Sequence, residues 1–447
     1  MKIYSFPRGG IPFEDQSAPL KTADVSNAFL PGLSIIPIGN KSNRVNPIVQ
    51  VGDMVREGML IARAVTPGTV NIHATVPGKI IRKVTWKNID GAENDAFVIK
   101  MEGSFDKLGK KDESMIWNGL NGYDIQRIIS DYGITEMERS EKPLADMISA
   151  SRRESEKLAL VVRCVFDDPW LAADYALCRE RMSAVIEGAA IVAKACFKVS
   201  QIIFAVSNKE KDLAQQLTDR AKKIDIPASI VFTGNRYPQH KNRELELALR
   251  AYEKKEGLNL GSLLILGPAV LAAVTDAVVH KKPVLDRFVA VGGSAVKQPK
   301  ILRVRIGTRI GEVIEQCGGF CETPERILTG SVLSGKEVVY LDEPVGKNCY
   351  AIVAMTKSQA AIHGQQNCIN CGECRVVCPI GLDPQKIYKK IRAMELKNAG
   401  ATGCKGCGCC KIVCPSALPL LETIIEDNHE DNQTVQNTNP AVEVKSV

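Results

Sequence analysis

Cys368-Ile-Asn-Cys371-Gly-Glu-Cys374-Arg-Val-Val-Cys378-Pro379 is repeated further along as Cys404-Lys-Gly-Cys407-Gly-Cys409-Cys410-Lys-Ile-Val-Cys414-Pro415. Both runs read C-x2-C-x2-C-x3-C-P. At this spacing three thiolates wrap one face of a cubane, while the fourth, on the helix that follows, belongs to the other cluster. Backbone amides of such a loop point at the sulfides. The chain is therefore expected to hold two [4Fe–4S] clusters, the first on Cys368, Cys371, Cys374 and Cys414, the second on Cys404, Cys407, Cys410 and Cys378. Exchanging the fourth ligand ties the two halves together and keeps the clusters close enough to pass single electrons.

C-x2-C pairs also make tetrahedral zinc sites. Zinc closes with four ligands per ion and has no use for a third cysteine two residues on, let alone in both copies. Of the fifteen cysteines, nine lie between Cys368 and Cys414, a density that in a reducing compartment means metal ligation rather than disulfides. Cys409 occupies a spacer position and reads as a free thiol beside the cluster. Cys164, Cys178, Cys196, Cys317, Cys321 and Cys349 lack ligand spacing, apart from Cys317-Gly-Gly-Phe-Cys321, and read as small apolar core residues.

A chain of 447 residues has length for two to four folded units with proper cores. Its balance of 45% hydrophobic to 24% charged residues is that of a soluble globular protein, neither disordered nor a membrane bundle. The stretch from Leu258 to Val279 imitates a transmembrane segment, but Gly261, Gly267, Pro268 and Asp276 break it into strand, turn and helix. No transmembrane segment is expected. The start, Met1 to Phe6, lacks a secretory pattern, which points to the cytoplasm. The net charge of +7 is dispersed, so nucleic acid is not an expected partner; a weak preference for acidic partners or an inner membrane face remains.

Short apolar runs at Leu33 to Ile38, Ile48 to Asp53, Gly58 to Ala62 and Ile72 to Ile80, separated by Gly and Pro turns, predict a small β-sandwich. It is similar to lipoyl and biotinyl carrier domains, yet Pro77-Gly78 stands where a carrier hairpin would present its modified lysine, so a passive β-module is expected. From Gly122 to Gly292 strands at 158–163, 201–206 and 228–232 alternate with helices at 182–199 and 209–224, the pattern of a parallel sheet covered on both faces. Residues 304–308, a helix at 310–316, and a turn with strands at 325–340 predict a β-grasp module. The cysteine region is expected to be mostly helical, and the polar stretch from about Glu426 a disordered tail.

This order of modules, with Gly9-Gly10-Ile11, Val51-Gly-Asp53, Arg236-Tyr-Pro-Gln239, Pro283-Val-Leu-Asp-Arg287, Ile306-Gly-Thr308 and the cysteine block, resembles the C subunit of the Rnf ion-translocating oxidoreductase complex. The fold class expected is multidomain α/β: a barrel-sandwich hybrid at 1–115, a Rossmann-like core at 116–296, an SLBB-like β-grasp module at 297–355, a helical double [4Fe–4S] ferredoxin-like domain at 356–426, and a disordered tail at 427–447. The resemblance implies a peripheral subunit of a translocase, on the cytoplasmic face of the inner (plasma) membrane. Its partners would be membrane and ferredoxin-domain subunits and a soluble carrier such as ferredoxin or flavodoxin. Family members are themselves similar to the FMN-binding, NADH-oxidising subunit of respiratory complex I, which implies NADH, FMN and the two clusters in series.

The sequence departs from that pattern at the flavin. The family's glycine-rich loop, G-x-G-G-A-G-F-P-T, should follow the helix Tyr123 to Tyr132, because only glycines let amides approach a flavin phosphate. Here the loop is Gly133-Ile-Thr-Glu-Met-Glu-Arg-Ser-Glu-Lys-Pro143, and Glu136, Glu138 and Glu141 would repel a phosphate. The signature N-A-x-E-C-E-P aligns with Arg163-Cys-Val-Phe-Asp-Asp-Pro169, leaving Asp168 as a remnant of the nucleotide site, with Phe166 and Arg163 in place of an acid and an asparagine. His240 and Lys241 stand where glycines are usual. FMN and NADH binding is expected to be lost or radically remodelled, and no catalytic residue is assigned.

The leading expectation is an electron conduit within an Rnf-type complex. Its rivals are an NADH:ferredoxin oxidoreductase subunit with a rebuilt flavin pocket, and a soluble ferredoxin-like partner of another flavoenzyme. Lys386, Lys389, Lys390 and Arg392 read as a solvated helix face in preference to a docking site for an acidic carrier. His73, His280 and His363 show no clustering and read as structural or exposed.

Overall fold

A computed structural model describes residues 2–13, 20, 23–40, 45–87, 93–103, 105, 114–138, 141–154, 156–222, 226–360, 365–393, 400, 401 and 403–425. His363 and the expected tail lie outside the described residues.

Alternating apolar residues make the N-terminal module a sandwich. Leu33–Asn40, Glu93–Met101, Gly78–Lys87 and Met54–Val55 form one antiparallel sheet, and Val45–Pro47, Leu60–Ala64 and Ile72–His73 another. Between them pack Ile36, Ile38, Val55, Ile61, Val76, Ile80, Phe97 and Ile99. The stretch Ile48 to Asp53, expected as a strand, is instead the turn connecting the two sheets. Gly78 opens a buried strand, where an added Cβ would lie 2.0 Å from the Lys100 carbonyl oxygen. Backbone packs against it too closely for an exposed carrier tip.

Leu158–Cys164, buried at every position, is the first strand of a parallel sheet with spatial order Ala228–Thr233, Val199–Ser207, Leu158–Cys164, Ser262–Leu266. A continuous apolar run of this kind suits a strand covered on both faces. The helices Met182–Cys196, Lys211–Ala221 and Asn242–Glu256 make the connections. The first ends three residues before the expected boundary, because Phe197 turns left-handed (φ 62°) and packs on Tyr123. Residues 258–279 resolve into the strand Ser262–Leu266 and the helix Pro268–Val278. Among the described residues no helix is long and apolar enough to cross a membrane.

A third unit is a six-stranded mixed sheet in the order Val25–Asn27, Lys300–Arg305, Asp286–Gly292, Ala351–Met355, Arg326–Thr329, Lys336–Glu337. Ile310, Val313 and Ile314 of the helix Ile310–Glu315 pack on it with Val289, Leu302 and Ile352. Asp286–Gly292 thus joins this sheet rather than the parallel one, and Val25–Asn27 arrives from the far end of the sequence.

The cysteine region is less helical than its sequence reads. Among the described residues its helical stretches are Glu373–Val376, Pro384–Arg392, Cys409–Ile412 and residues 420–425. The first arms of both motifs run as loops, since a helix would carry closely spaced cysteines around its axis instead of turning them toward one centre.

Candidate functional site

The two cysteine runs fold as copies of one another. Gly372 and Gly408, each just after the second cysteine, take φ +80° and +81°, conformations that favour glycine, and each caps a one-turn helix carrying the third cysteine. Between the copies are two small cavities. Cys368, Cys371, Cys374 and Cys414 line one, with Gln385, Leu418 and Leu420. Cys378, Cys404, Cys407 and Cys410 line the other, with Lys241 and Glu244 reaching in from the parallel-sheet unit. Each cavity therefore takes three cysteines from one motif and the last from the other.

Among the described residues no group of three or more His, Cys, Asp or Glu is arranged to hold a metal ion. Cubane ligation differs from such a site: four cysteines surround a body of four irons, which calls for a shared cavity rather than convergence on one point. Hydrogen bonds to sulfur that the spacing could not foretell are present. Leu382 N donates to Cys378 Sγ at 3.2 Å and Gln385 Nε2 to Cys368 Sγ at 3.3 Å.

The two cavities differ in exposure. The second motif is sealed onto the rest of the protein: Tyr237 donates its hydroxyl to the Cys407 carbonyl at 2.6 Å, Lys241 Nζ lies 3.4 Å from the Gly406 carbonyl, and Gly408 faces the Leu333 backbone. Burial holds the Tyr237 phenol well above its usual range, so it stays a donor. The first motif is open, with Cys371 exposed and Ile369 64% exposed. Cys409 points away from both cavities into an apolar contact with Tyr237 and Leu333. Cys317 and Cys349 lie in the core of the six-stranded sheet, Cys321 is exposed, and Cys164 and Cys178 stand 3.9 Å apart in the interior.

The three departures from the flavin pattern meet in one place. Arg163, at the end of its buried strand, forms an ion pair with Glu138 of the 133–143 loop and lies 3.4 Å from the Asn242 side-chain oxygen. Its guanidinium fills the space above Gly267, where a Cβ would come within 2.8 Å of it. His240 is held just as firmly: its Nδ1 is 2.7 Å from Asp167 Oδ1, its amide donates to the same oxygen at 3.0 Å, and its Nε2 is 3.7 Å from Glu138. Phe166 packs edge-on against Tyr175. Asp168 is buried and accepts from the Trp170 amide at 3.0 Å, the task of a helix cap; its second oxygen, like that of Asp167, has no hydrogen-bond partner among the described residues. Glu141, expected with Glu136 and Glu138 to repel a phosphate, turns toward Gly346 and Lys347.

Another cavity, of about 300 Å³, lies between the sandwich and the larger units, lined by His73, Tyr132, Thr135 and Lys347 among others. Burial pushes the His73 imidazole down to about 3 and the Lys347 ammonium down to about 8. Neither residue carried a signal in the sequence, since each meets its neighbours only through tertiary packing.

Residues 5–104 match the model of the RnfC barrel sandwich hybrid domain, 129–259 that of the Nuo51 FMN-binding domain and 288–340 that of the SLBB domain. The chain is 28% identical to the C subunit of the ion-translocating oxidoreductase complex of Rhodobacter capsulatus, over 89% of this chain and 77% of that protein. It is 27% identical to the C subunit of the proton-translocating ferredoxin:NAD(+) oxidoreductase complex of Clostridium ljungdahlii, over 85% and 83%. To the C subunit of the Na(+)-translocating ferredoxin:NAD(+) oxidoreductase complex of Acetobacterium woodii it is 27% identical, over 85% and 86%. A crystal structure of an NAD+-reducing [NiFe]-hydrogenase in the air-oxidized state is similar in fold, with TM-score 0.50 and 14% identity over 75% of this chain and 71% of that one. With three modules matched in order and these three relatives aligned along most of their length, the chain is similar to the C subunits of Rnf-type ion-translocating oxidoreductase complexes.

Proposed function

We propose that this subunit is a peripheral iron–sulfur conduit on the cytoplasmic face of a membrane-bound Rnf-type complex, and that it works without its own flavin. The observation that carries the first part is the pair of cavities, each lined by four cysteines in the crossed set. When bound, a [4Fe–4S] cluster supplies one-electron chemistry at a potential set by its surroundings. Cys368, Cys371, Cys374 and Cys414 would hold one cluster, and Cys404, Cys407, Cys410 and Cys378 the other. We take the ferredoxin-like domain as 356–426, after a sandwich at 1–115, a Rossmann-like core at 116–296 and an SLBB-like module at 297–355, with Val25–Asn27 and Asp286–Gly292 given to the sheet of the SLBB-like module.

The residues present do not fit FMN. A flavin phosphate needs free amides and room, whereas Glu138, Arg163, His240 and Asp167 pair with one another there and present two carboxylates. The electron path then runs between protein partners: membrane and ferredoxin-domain subunits on one side, a soluble carrier such as ferredoxin or flavodoxin on the other.

A cofactor inventory of anaerobically purified, reconstituted protein tests both parts. We expect roughly eight irons and eight sulfides per chain, a broad visible shoulder and no extractable flavin. Stoichiometric FMN, bleached by NADH, would instead establish the NADH:ferredoxin oxidoreductase reading.

A further inference from the structure

We infer that the surface around the outer cluster cradle, formed by Ile369, Val376 and the basic face of the helix Pro384–Arg392, is the docking site of a small acidic electron-carrier protein. The inference rests on the proposed cluster assignment and adds to it the place and chemistry of the encounter.

Accessibility selects this cradle. Lys241 and Glu244 reach into the inner one, and its motif is fastened by Tyr237 and Leu333. The outer cradle is lined wholly by residues of the two motifs and the segments that follow them. A carrier would approach on the side of exposed Cys371. Ile369, which lines this cradle, is 64% exposed, and Val376 and Ile412, on the one-turn helices that carry the third cysteines, are 67% and 48% exposed. Val376 and Ile412 hold the same position in the two motif copies, next to a ligand-bearing turn. Neither contributes to a core, so a small dry contact is left for a partner.

Charge decides what kind of partner. The helix Pro384–Arg392 buries Ile387 and Tyr388 and turns Lys386, Lys389 and Arg392 outward. It borders the cradle directly: Gln385 reaches the Cys368 sulfur, and Lys389 Nζ donates to Asn370 of the motif loop at 2.7 Å. With Lys390 and Arg375, five cations within residues 365–393 face two carboxylates, Glu373 and Asp383, and the Asp383 side chain is engaged as a helix cap. A basic rim around a small apolar centre suits a brief, electrostatically steered encounter with an acidic protein.

The test uses the full chain with clusters reconstituted. Iron content is measured first, and affinity is then read by fluorescence anisotropy against two labelled probes: a small acidic [2Fe–2S] ferredoxin and a basic c-type cytochrome of similar size. We expect the ferredoxin to bind with affinity that falls steeply as salt rises, and the cytochrome to bind far more weakly. Lys386→Glu with Arg392→Glu, neither of which touches a cysteine, should weaken the ferredoxin by roughly tenfold and strengthen the cytochrome. Val376→Ser should weaken the ferredoxin without changing the salt slope. A fully loaded chain that binds both probes alike, or whose affinity ignores the charge reversal, overturns the docking surface and leaves the conduit standing. Absence of clusters from every preparation sinks both.

Discussion

Nδ1 of His240 lies 2.7 Å from Oδ1 of Asp167, and on its other side the imidazole faces Glu138, which is paired with Arg163. Three segments far apart in sequence thus close a buried polar network within the stretch, 129–259, that matches the FMN-binding domain model. The components depend on one another. Removing Arg163 strands a carboxylate that is only 12% exposed. Arg163→Ala should cost about 3–5 kcal/mol, whereas replacing both partners, as in Arg163→Met with Glu138→Leu, should cost far less. Denaturant melts of the single and double variants decide this, and equal losses would refute a coupled pair.

The crossed ligand sets make an asymmetric prediction for the last cysteine of each motif. Cys378→Ser should remove the cluster held by the second motif while sparing the first motif's, and Cys414→Ser the reverse. Iron should fall from roughly eight to roughly four per chain in each case. Cys409→Ala, in the apolar contact with Tyr237 and Leu333, should keep the full complement. Electron paramagnetic resonance of the two half-loaded variants should give different spectra, because one cluster is exposed and the other sealed. Loss of both clusters from Cys409→Ala would mean that the assignment is wrong.

Gly372 and Gly408 have the same backbone conformation but different surroundings. A Cβ at Gly372 meets nothing within 4 Å, while at Gly408 it would lie 2.3 Å from the Leu333 carbonyl oxygen. Gly372→Ala should therefore cost only the left-handed strain, about 1–2 kcal/mol. Gly408→Ala adds a backbone collision and should lift the second motif off its seat. Limited proteolysis of the cysteine region checks the difference, and matched behaviour would count against the close approach.

That the cysteines group three and one around two cavities was legible because their spacing is local and the motif is repeated. The parallel sheet was legible for a similar reason, as buried strands such as Leu158–Cys164 are continuous apolar runs. The flavin pocket was readable only in part. Arg163, Glu138 and His240 each stood out as departures, but that they pair with one another depends on the fold bringing 138, 163 and 240 together. Glu141 illustrates the limit, since neighbouring glutamates in one loop face different partners. Sheet membership of Asp286–Gly292 was hidden too, because its apolar pattern suits either sheet and the choice is made by Lys300–Arg305 and Ala351–Met355.

His73 and Lys347 give the molecule pH dependences of the same sign, stability rising with pH, in two separate windows. Burial, with Lys347 as the smaller cause, lowers His73 to about 3 from an ordinary 6.5. Above 6.5 both folded and unfolded chains are neutral there. As pH falls below 6.5 the unfolded chain takes up a proton that the folded one refuses, so stability drops until the folded imidazole titrates near 3. At pH 5 the loss from this residue is about 2 kcal/mol. Lys347, lowered by burial to about 8, donates to the Gly133 carbonyl at 2.8 Å. Between 8 and its unfolded value of 10.5 the unfolded chain holds the extra proton, so stability rises with pH. His73→Gln should flatten the acid side of the stability profile and leave the alkaline side alone, while Lys347→Met should remove the alkaline rise. Urea melts from pH 4 to 10 on the three proteins read both effects, and an unchanged acid slope in His73→Gln would show that the imidazole is solvated.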